Sequence, residues 1–177
     1  GIFTTLSSCA SRQLEEVTFR RATISVPELM ATAGKYFRKV YKGNKAHIDF
    51  KIQLLEGRIT GDWNQLRFLL ENLIDEACSV TLDGAVCLSA REDGEFIRFL
   101  FTDMRREKTR EELNQLFYPD LSRMTAGEKG ELYGTEYLVC KQIIRDHDEF
   151  AGRRGCRINA EPGKEGGFTI YFTLPKK

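Results

Sequence analysis

The sequence predicts an α+β fold, a two-layer α/β sandwich in which a mixed sheet carries helices on one face. Three observations predict it. Two long segments read as helices, Asp62–Thr81 and Leu132–His147, and the first has the strongest three-and-four apolar spacing in the chain. Short runs of alternating apolar and polar residues between them read as half-buried strands. The late strands meet at Asp93-Gly94 and around Pro162-Gly163 with Gly166-Gly167, turn residues that join antiparallel neighbours. Helices mixed with hairpins bury their apolar faces as one layer against another.

Taken in order, Leu6–Phe19 reads as a helix tail with Leu6, Ala10, Leu14 and Val17 on one stripe. Residues 1–22 are therefore expected to be a linker continuing from an upstream domain, and residues 23–177 to be the folded domain. Thr23–Val26 is a short strand. Pro27 suits a first helical position, where a missing N–H costs nothing. Leu29, Met30, Ala33, Phe37, Val40 and Tyr41 continue that helix until Lys42-Gly43-Asn44 ends it. Ile48, Phe50, Ile52 and Leu54 alternate as a strand, and Gly57–Gly61 is a short extended return. Asp62 is placed to cap the next helix, since its carboxylate can accept from first-turn N–H groups. Trp63, Leu66, Leu70, Leu73, Ala77 and Val80 form that helix's apolar stripe. Asn72, Asp75, Glu76 and Ser79 form a polar one, spaced to share a face. After the Asp83-Gly84 turn, Val86–Arg91 and Glu95–Thr102 are strands. Thr109 caps a short helix reaching Phe117, residues 119–130 read as a polar mobile loop, and Gly155–Glu161 and Phe168–Leu174 close the chain as strands.

A length of 177 residues suits one domain with a proper core. The net charge of +1 gives no general reason to expect nucleic acid. The basic clusters Arg20–Arg21, Arg105–Arg106 with Lys108 and Arg110, and Arg153–Arg154 with Arg157 read as solvated surface. Five cysteines without a C-x-x-C pair fit a reduced, cytoplasmic chain better than a disulfide or zinc framework. No apolar run is long enough to span a membrane, so no membrane contact is expected of this stretch. No Ser/His/Asp set, metal-ligand cluster or paired carboxylate stands out, and no catalytic residue is assigned.

Four stretches carry a resemblance. The helix holds Asp62, Leu66, Leu70, Asn72, Leu73 and Ala77. Strand Phe99–Thr102 leads to Asp103, followed by Leu116-Phe117 and Pro119. Gly127, Gly130 and Gly134 precede a helix with Lys141, Ile143-Ile144 and His147. The last hairpin runs from Glu161-Pro162-Gly163 to Phe172-Thr173-Leu174-Pro175. In this order they resemble the catalytic, ATP-binding domain of bacterial sensor histidine kinases, of the superfamily shared with gyrase and certain chaperones (the Bergerat fold), over about Ile24 to Pro175. The resemblance implies ATP and Mg2+ as cofactors. It implies roles for Asn72, for Glu76 at the magnesium-ligand position, for Asp103 as acceptor of the adenine amino group, for Gly134 in the phosphate lid and for Thr169 near the adenine. It implies, as partners, other domains of a parent sensor protein in a two-component system, a dimerisation helix and a response regulator. Neither histidine is placed as phosphoacceptor, since His47 opens a strand and His147 ends the second long helix.

The departures fall on the working positions. Glu76 stands where the family has a neutral Asn. The Asp-x-Gly-x-Gly turn reads Asp103-Met104-Arg105-Arg106-Glu107, so both glycines that let backbone approach the adenine are replaced. The lid's terminal glycines read Leu132-Tyr133-Gly134-Thr135-Glu136, so one glycine of three survives and bulkier residues cover the backbone N–H groups that cradle phosphate. The expectation is a signal-transduction module with a degenerate ATP site, pseudokinase-like, binding ATP and Mg2+ weakly or not at all. The alternative is an active kinase domain phosphorylating a His elsewhere.

Overall fold

The computed structural model describes residues 18–118 and 135–177. Its elements run β1 (Ala22–Ser25), α1 (Val26–Val40), β2 (Ile48–Ile52), β3 (Arg58–Gly61), α2 (Trp63–Cys78), β4 (Gly84–Asp93), β5 (Phe96–Asp103), α3 (Arg110–Gln115), α4 (Thr135–Phe150), β6 (Ile158–Pro162) and β7 (Phe168–Pro175). Five strands form the main sheet in the order β2-β4-β5-β7-β6. β2 runs parallel to β4 and every other pairing is antiparallel, so the sheet is mixed as expected. β1 and β3 form a separate two-stranded sheet, which a reading with a single sheet did not foresee.

Local chemistry explains the boundaries. Ser25 caps α1 by accepting from the Glu28 N–H, with Pro27 in the first turn. Asp62 caps α2 by accepting from Gln65 N–H at 3.1 Å. Thr109 and Glu112 form a reciprocal capping box on α3. Gly94 takes φ +61° in the β4–β5 hairpin, a conformation few other residues adopt without strain.

The core lies between the sheet and α1, α2 and α4. Val86, Leu88, Ile97, Phe99, Phe101, Ile170, Phe172 and Leu174 supply the sheet side. Phe99 and Phe172 stack with ring centroids 5.0 Å apart across β5 and β7. The buried face of α2 is wider than its predicted stripe: Leu69, Ile74 and Cys78 are buried beside Leu66, Leu70, Leu73 and Ala77. The reason is position, because α2 packs on α1 at one side and on α4 at the other. No helix among the described residues is long and apolar enough to cross a membrane.

The chain enters the domain at a tight seam. Arg20 N–H donates to Asp62 Oδ2 at 2.9 Å, and Phe19 packs edge-on against His147, ring centroids 4.9 Å apart, and against Phe150 at 5.6 Å. His147 is fully buried. Its Nε2 accepts from Asp62 N–H at 3.0 Å, and its Nδ1 lies 2.8 Å from the Ile143 carbonyl, so the ring is held with its proton on Nδ1. Phe19 and Arg20, taken as linker from the sequence, are thus fastened to the two helices they enter between. The rest of Leu6–Phe19, up to Val17, lies outside the described residues.

Candidate functional site

The site forms at the end of β5. That strand alternates, with Ile97, Phe99, Phe101 and Asp103 on its buried side. The Asp103 carboxylate therefore points into the helix layer, and its side chain is only 1% exposed. Both of its oxygens are engaged. Arg105 donates Nε to Oδ1 at 2.9 Å, Nη2 to Oδ2 at 2.8 Å and its backbone N–H to Oδ1 at 3.0 Å. Arg106 Nε adds a bond to Oδ2 at 2.9 Å. Burial alone would raise the Asp103 pKa. The Arg105 hydrogen bonds and the Arg106 charge outweigh burial and hold it below the usual carboxylate value.

Arg105 is as buried as its partner, at 1% exposure. Its remaining donors turn to the backbone: Nη1 to the carbonyls of Val80 at 3.1 Å and Leu82 at 2.9 Å, Nη2 to that of Ala77 at 2.6 Å. These carbonyls lie at and just beyond the C-terminal end of α2, where helix geometry leaves acceptors unpaired and the dipole favours a cation. The fork of the guanidinium suits several acceptors at once.

Arg106 bridges the two carboxylates. Nη1 and Nη2 donate to Glu76 Oε1 and Oε2 at 2.9 and 2.8 Å while Nε holds Asp103. Its guanidinium lies 5.3 Å from the centroid of the buried Phe168 ring, and Lys108 Nζ lies 5.2 Å from the same ring. Burial would lower the Arg106 pKa, but the Glu76 hydrogen bonds and charge raise it above its ordinary value. Tyr137, at the start of α4, is 4% exposed. Burial first, then the Glu76 carboxylate, push its phenol well above the ordinary pKa. Its hydroxyl is near enough to Glu76 to feel that charge. Glu76 keeps acceptor capacity beside its two bonds to Arg106, and its hydrogen bonding with the Tyr137 hydroxyl contributes to that rise.

Glu107, in place of the second glycine, accepts from the Gly167 N–H at 2.8 Å. Gly167 has φ +70°, and a Cβ there would stand 2.0 Å from the Asp103 carbonyl oxygen. Only glycine lets the start of β7 approach the turn after β5 this closely.

The structure brings Glu76 and Asp103 together through Arg106 and separates the other residues singled out by sequence. Asn72 turns back on its own helix, donating Nδ2 to the Phe68 carbonyl at 2.7 Å. Asp75, expected to share a face with Glu76, points instead to α1 and accepts from the hydroxyls of Tyr36 at 2.7 Å and Tyr41 at 2.6 Å. Thr169 sits opposite Thr102 in the register, one residue from the Asp103–Phe168 pair, and so projects from the other face of the sheet. There its hydroxyl is 2.8 Å from that of Thr102, on the wall of a cavity of about 490 Å3 with Cys87, Leu100 and Glu161. Phe168, not Thr169, shares the Asp103 face. Gly134, Gly127 and Gly130 lie outside the described residues. No group of three or more His, Cys, Asp or Glu among the described residues is arranged to hold a metal ion.

The reading of Arg105–Arg106 as solvated surface is overturned by the burial of both side chains. A signal was present. Two cations stand two and three positions after a strand-end aspartate, the first of them where a flexible glycine was expected. Nothing in the sequence pointed from Asp75 to Tyr36 and Tyr41, because they lie on a different helix.

A five-stranded mixed sheet under α2 and α4, with a strand-end aspartate facing a carboxylate-bearing helix, is the arrangement expected of an ATPase-type two-layer domain. Residues 61–177 match the family described as histidine kinase-, DNA gyrase B-, and HSP90-like ATPase, and the chain belongs to that family. The adaptive-response sensory kinase SasA of Thermosynechococcus vestitus (strain NIES-2133 / IAM M-273 / BP-1) is 29% identical over 137 residues, 76% of this chain and 34% of that protein. The chain thus spans about a third of that curated relative. The nucleotide-free catalytic domain of histidine kinase ThkA superposes with a TM-score of 0.67 at 19% identity, covering 89% of this chain and 96% of that one. ThkA in complex with the response regulator protein TrrA gives 0.69 at 19% identity, covering 99% and 48%. At such identities these structures establish a shared fold.

Proposed function

We propose that this domain is a signal-transduction module of a sensor histidine-kinase-like protein whose nucleotide site is closed by its own side chains. It works by docking and conformational relay rather than by phosphoryl transfer. The observation that carries this reading is the Arg106 bridge. One guanidinium engages both Glu76 oxygens and one oxygen of Asp103, and Arg105 engages the rest of Asp103. Family members bind ATP with Mg2+. Here the metal-ligand position and the adenine-acceptor position face each other's counter-ions, so ATP and Mg2+ do not fit the residues as arranged. Phosphoryl transfer depends on positioning and charge neutralisation, and a cleft whose charges cancel internally offers neither. The partners would be other domains of the parent protein, a dimerisation helix and a response regulator, the last by analogy with the ThkA–TrrA complex.

A second reading, an active kinase domain acting on a His outside this chain, is favoured by one observation. Glu76 remains an oxygen donor suited to magnesium. Calorimetric titration of ATP with and without Mg2+ separates the two. The relay reading expects no magnesium-dependent binding in the micromolar range. Tight binding weakened by chelation and by Asp103→Ala overturns it in favour of the kinase.

A further inference from the structure

The sheet carries a cavity of about 490 Å3 on the face turned away from the Asp103–Arg106 cluster. Its floor is one row across four strands. Cys87 stands opposite Thr102, Thr102 opposite Thr169 and Thr169 opposite Glu161, so the four share a face. The two threonine hydroxyls lie 2.8 Å apart, and either could donate to the other. Burial decides which does. Thr169 is 5% exposed, and a buried O–H without an acceptor is costly, so its proton goes to Thr102. A hydroxyl has one proton to give. Thr102 is half-buried, lines the cavity and makes no other side-chain bond among the described residues. Its own proton is therefore left for an acceptor inside the cavity.

The surroundings define that acceptor. Burial pushes the Cys87 thiol above its ordinary pKa, so the floor beside Thr102 stays uncharged at neutral pH. Leu100 and Met104 give it apolar surface, and the charged side chains on the wall balance, Arg91 and Lys164 against Glu161 and Glu165. An ion of either sign finds no net counter-charge here. The wall on the β6–β7 side is held in place, because Glu107 accepts from the Gly167 N–H at 2.8 Å beside the lining residue Gly166. The volume lies within the range that small-molecule sites occupy. We propose that this cavity binds a small uncharged organic molecule, which offers a carbonyl-type oxygen to the Thr102 hydroxyl and lays an apolar body against Leu100 and Met104. This goes beyond the relay reading and stands apart from the nucleotide cleft. One turn serves both faces: Asp103 and Arg105 pair on the helix side, and Met104 between them lines the cavity.

The test uses acetanilide, an uncharged ring bearing an amide carbonyl, with benzoate and benzylamine as charged counterparts of similar size. Each is titrated into the isotope-labelled chain without nucleotide and followed by NMR. Acetanilide is expected to give saturable shifts, with intermolecular NOEs to the methyl groups of Leu100 and Met104. Both charged probes are expected to bind several-fold more weakly. Thr102→Val keeps the shape and removes the donor, and should weaken acetanilide about fivefold, which corresponds to one net hydrogen bond. Thr102→Ser keeps the donor and should bind as the parent does. If the Val variant does not fold, the three probes and the NOEs in the parent chain still decide. Four results overturn the proposal: no saturation by acetanilide, NOEs that place it elsewhere, a charged probe that binds as tightly, or an affinity unchanged by Thr102→Val. Tight binding of ATP would bear on the relay reading alone.

Discussion

Arg105→Ala is the substitution whose cost the structure specifies most fully. The side chain is 1% exposed and makes two bonds to Asp103 and three to backbone carbonyls at and beyond the end of α2. Its loss strands a buried carboxylate that Arg106 compensates only in part, and it uncaps α2. Removing one partner of a buried ion pair costs about 3–5 kcal/mol. Water entering the vacated space recovers part of the carbonyl bonding, so the lower half of that range, about 3–4 kcal/mol, is expected. With a urea slope of about 2 kcal/mol/M, the midpoint should fall by roughly 1.5–2 M. Trp63, the single tryptophan, sits half-buried at the start of α2 and makes its own fluorescence the assay. Asp103→Ala combined with Arg105→Ala should be less harmful than the sum of the two, because the stranded charge is gone. A fall below about 0.5 M urea for Arg105→Ala, or strict additivity in the double variant, would refute the picture of a buried clamp.

Tyr41→Phe and Tyr36→Phe should each cost about 1–2 kcal/mol by removing a charge-assisted bond to Asp75, and the pair should be non-additive when urea midpoints are compared. Gly167→Ala should cost roughly 3 kcal/mol or more, since positive φ and a backbone collision coincide there; soluble yield and midpoint both report it. Phe19→Ala should cost about 1–2 kcal/mol and raise amide exchange selectively at the N-terminus of α2 and the C-terminus of α4. The pKa values of Asp103 and Asp148 are lowered by folding, Asp148 chiefly through N–H donation from Gly155 and the Arg154 contact, against burial. Their contributions are therefore present above the unfolded carboxylate value and lost as pH falls through the folded one. Stability should be flat near neutrality and decline from about pH 4 downward, and Asp103→Asn should flatten that decline.

Much of the fold was legible because its signals are local. The Asp62 cap, the Thr109 cap, the Asp93-Gly94 hairpin and the apolar stripe of α2 each depend on residues within a few positions of one another. The candidate site was legible only as a set of positions. Glu76 and Asp103 could be placed from their motifs, and the replaced glycines announced a changed site. What could not be read was where the replacing side chains go. Arg105 and Arg106 look like surface charge until β5 turns Asp103 inward and the carbonyls at and beyond the end of α2 come alongside. Thr169 shows the same limit at the scale of one residue, since a single step along β7 decides which face of the sheet a side chain meets. Both strands of the β1–β3 pair were legible as short extended segments, but not their pairing, because the two are separated in the chain by α1 and β2 and no local signal joins them.

The strand order also sets a timetable. β4 and β5 join through a tight turn and can pair as soon as both exist. β5 meets its other neighbour only when Phe96 finds Pro175 and Asp103 finds Phe168, contacts between distant parts of the chain. Closing so long a loop is slow. Among the described residues β6 pairs in the sheet only with β7. Until β7 arrives, Asp103 has no Phe168 beside it and Glu107 has no Gly167 N–H to accept from. The region around Asp103 and Glu107 is therefore expected to assemble late, although its charged residues lie mid-chain. Pulse-labelled amide exchange during refolding should show β4 and β5 protecting their shared bonds before β7 does. The opposite order would separate sheet topology from folding sequence in this domain.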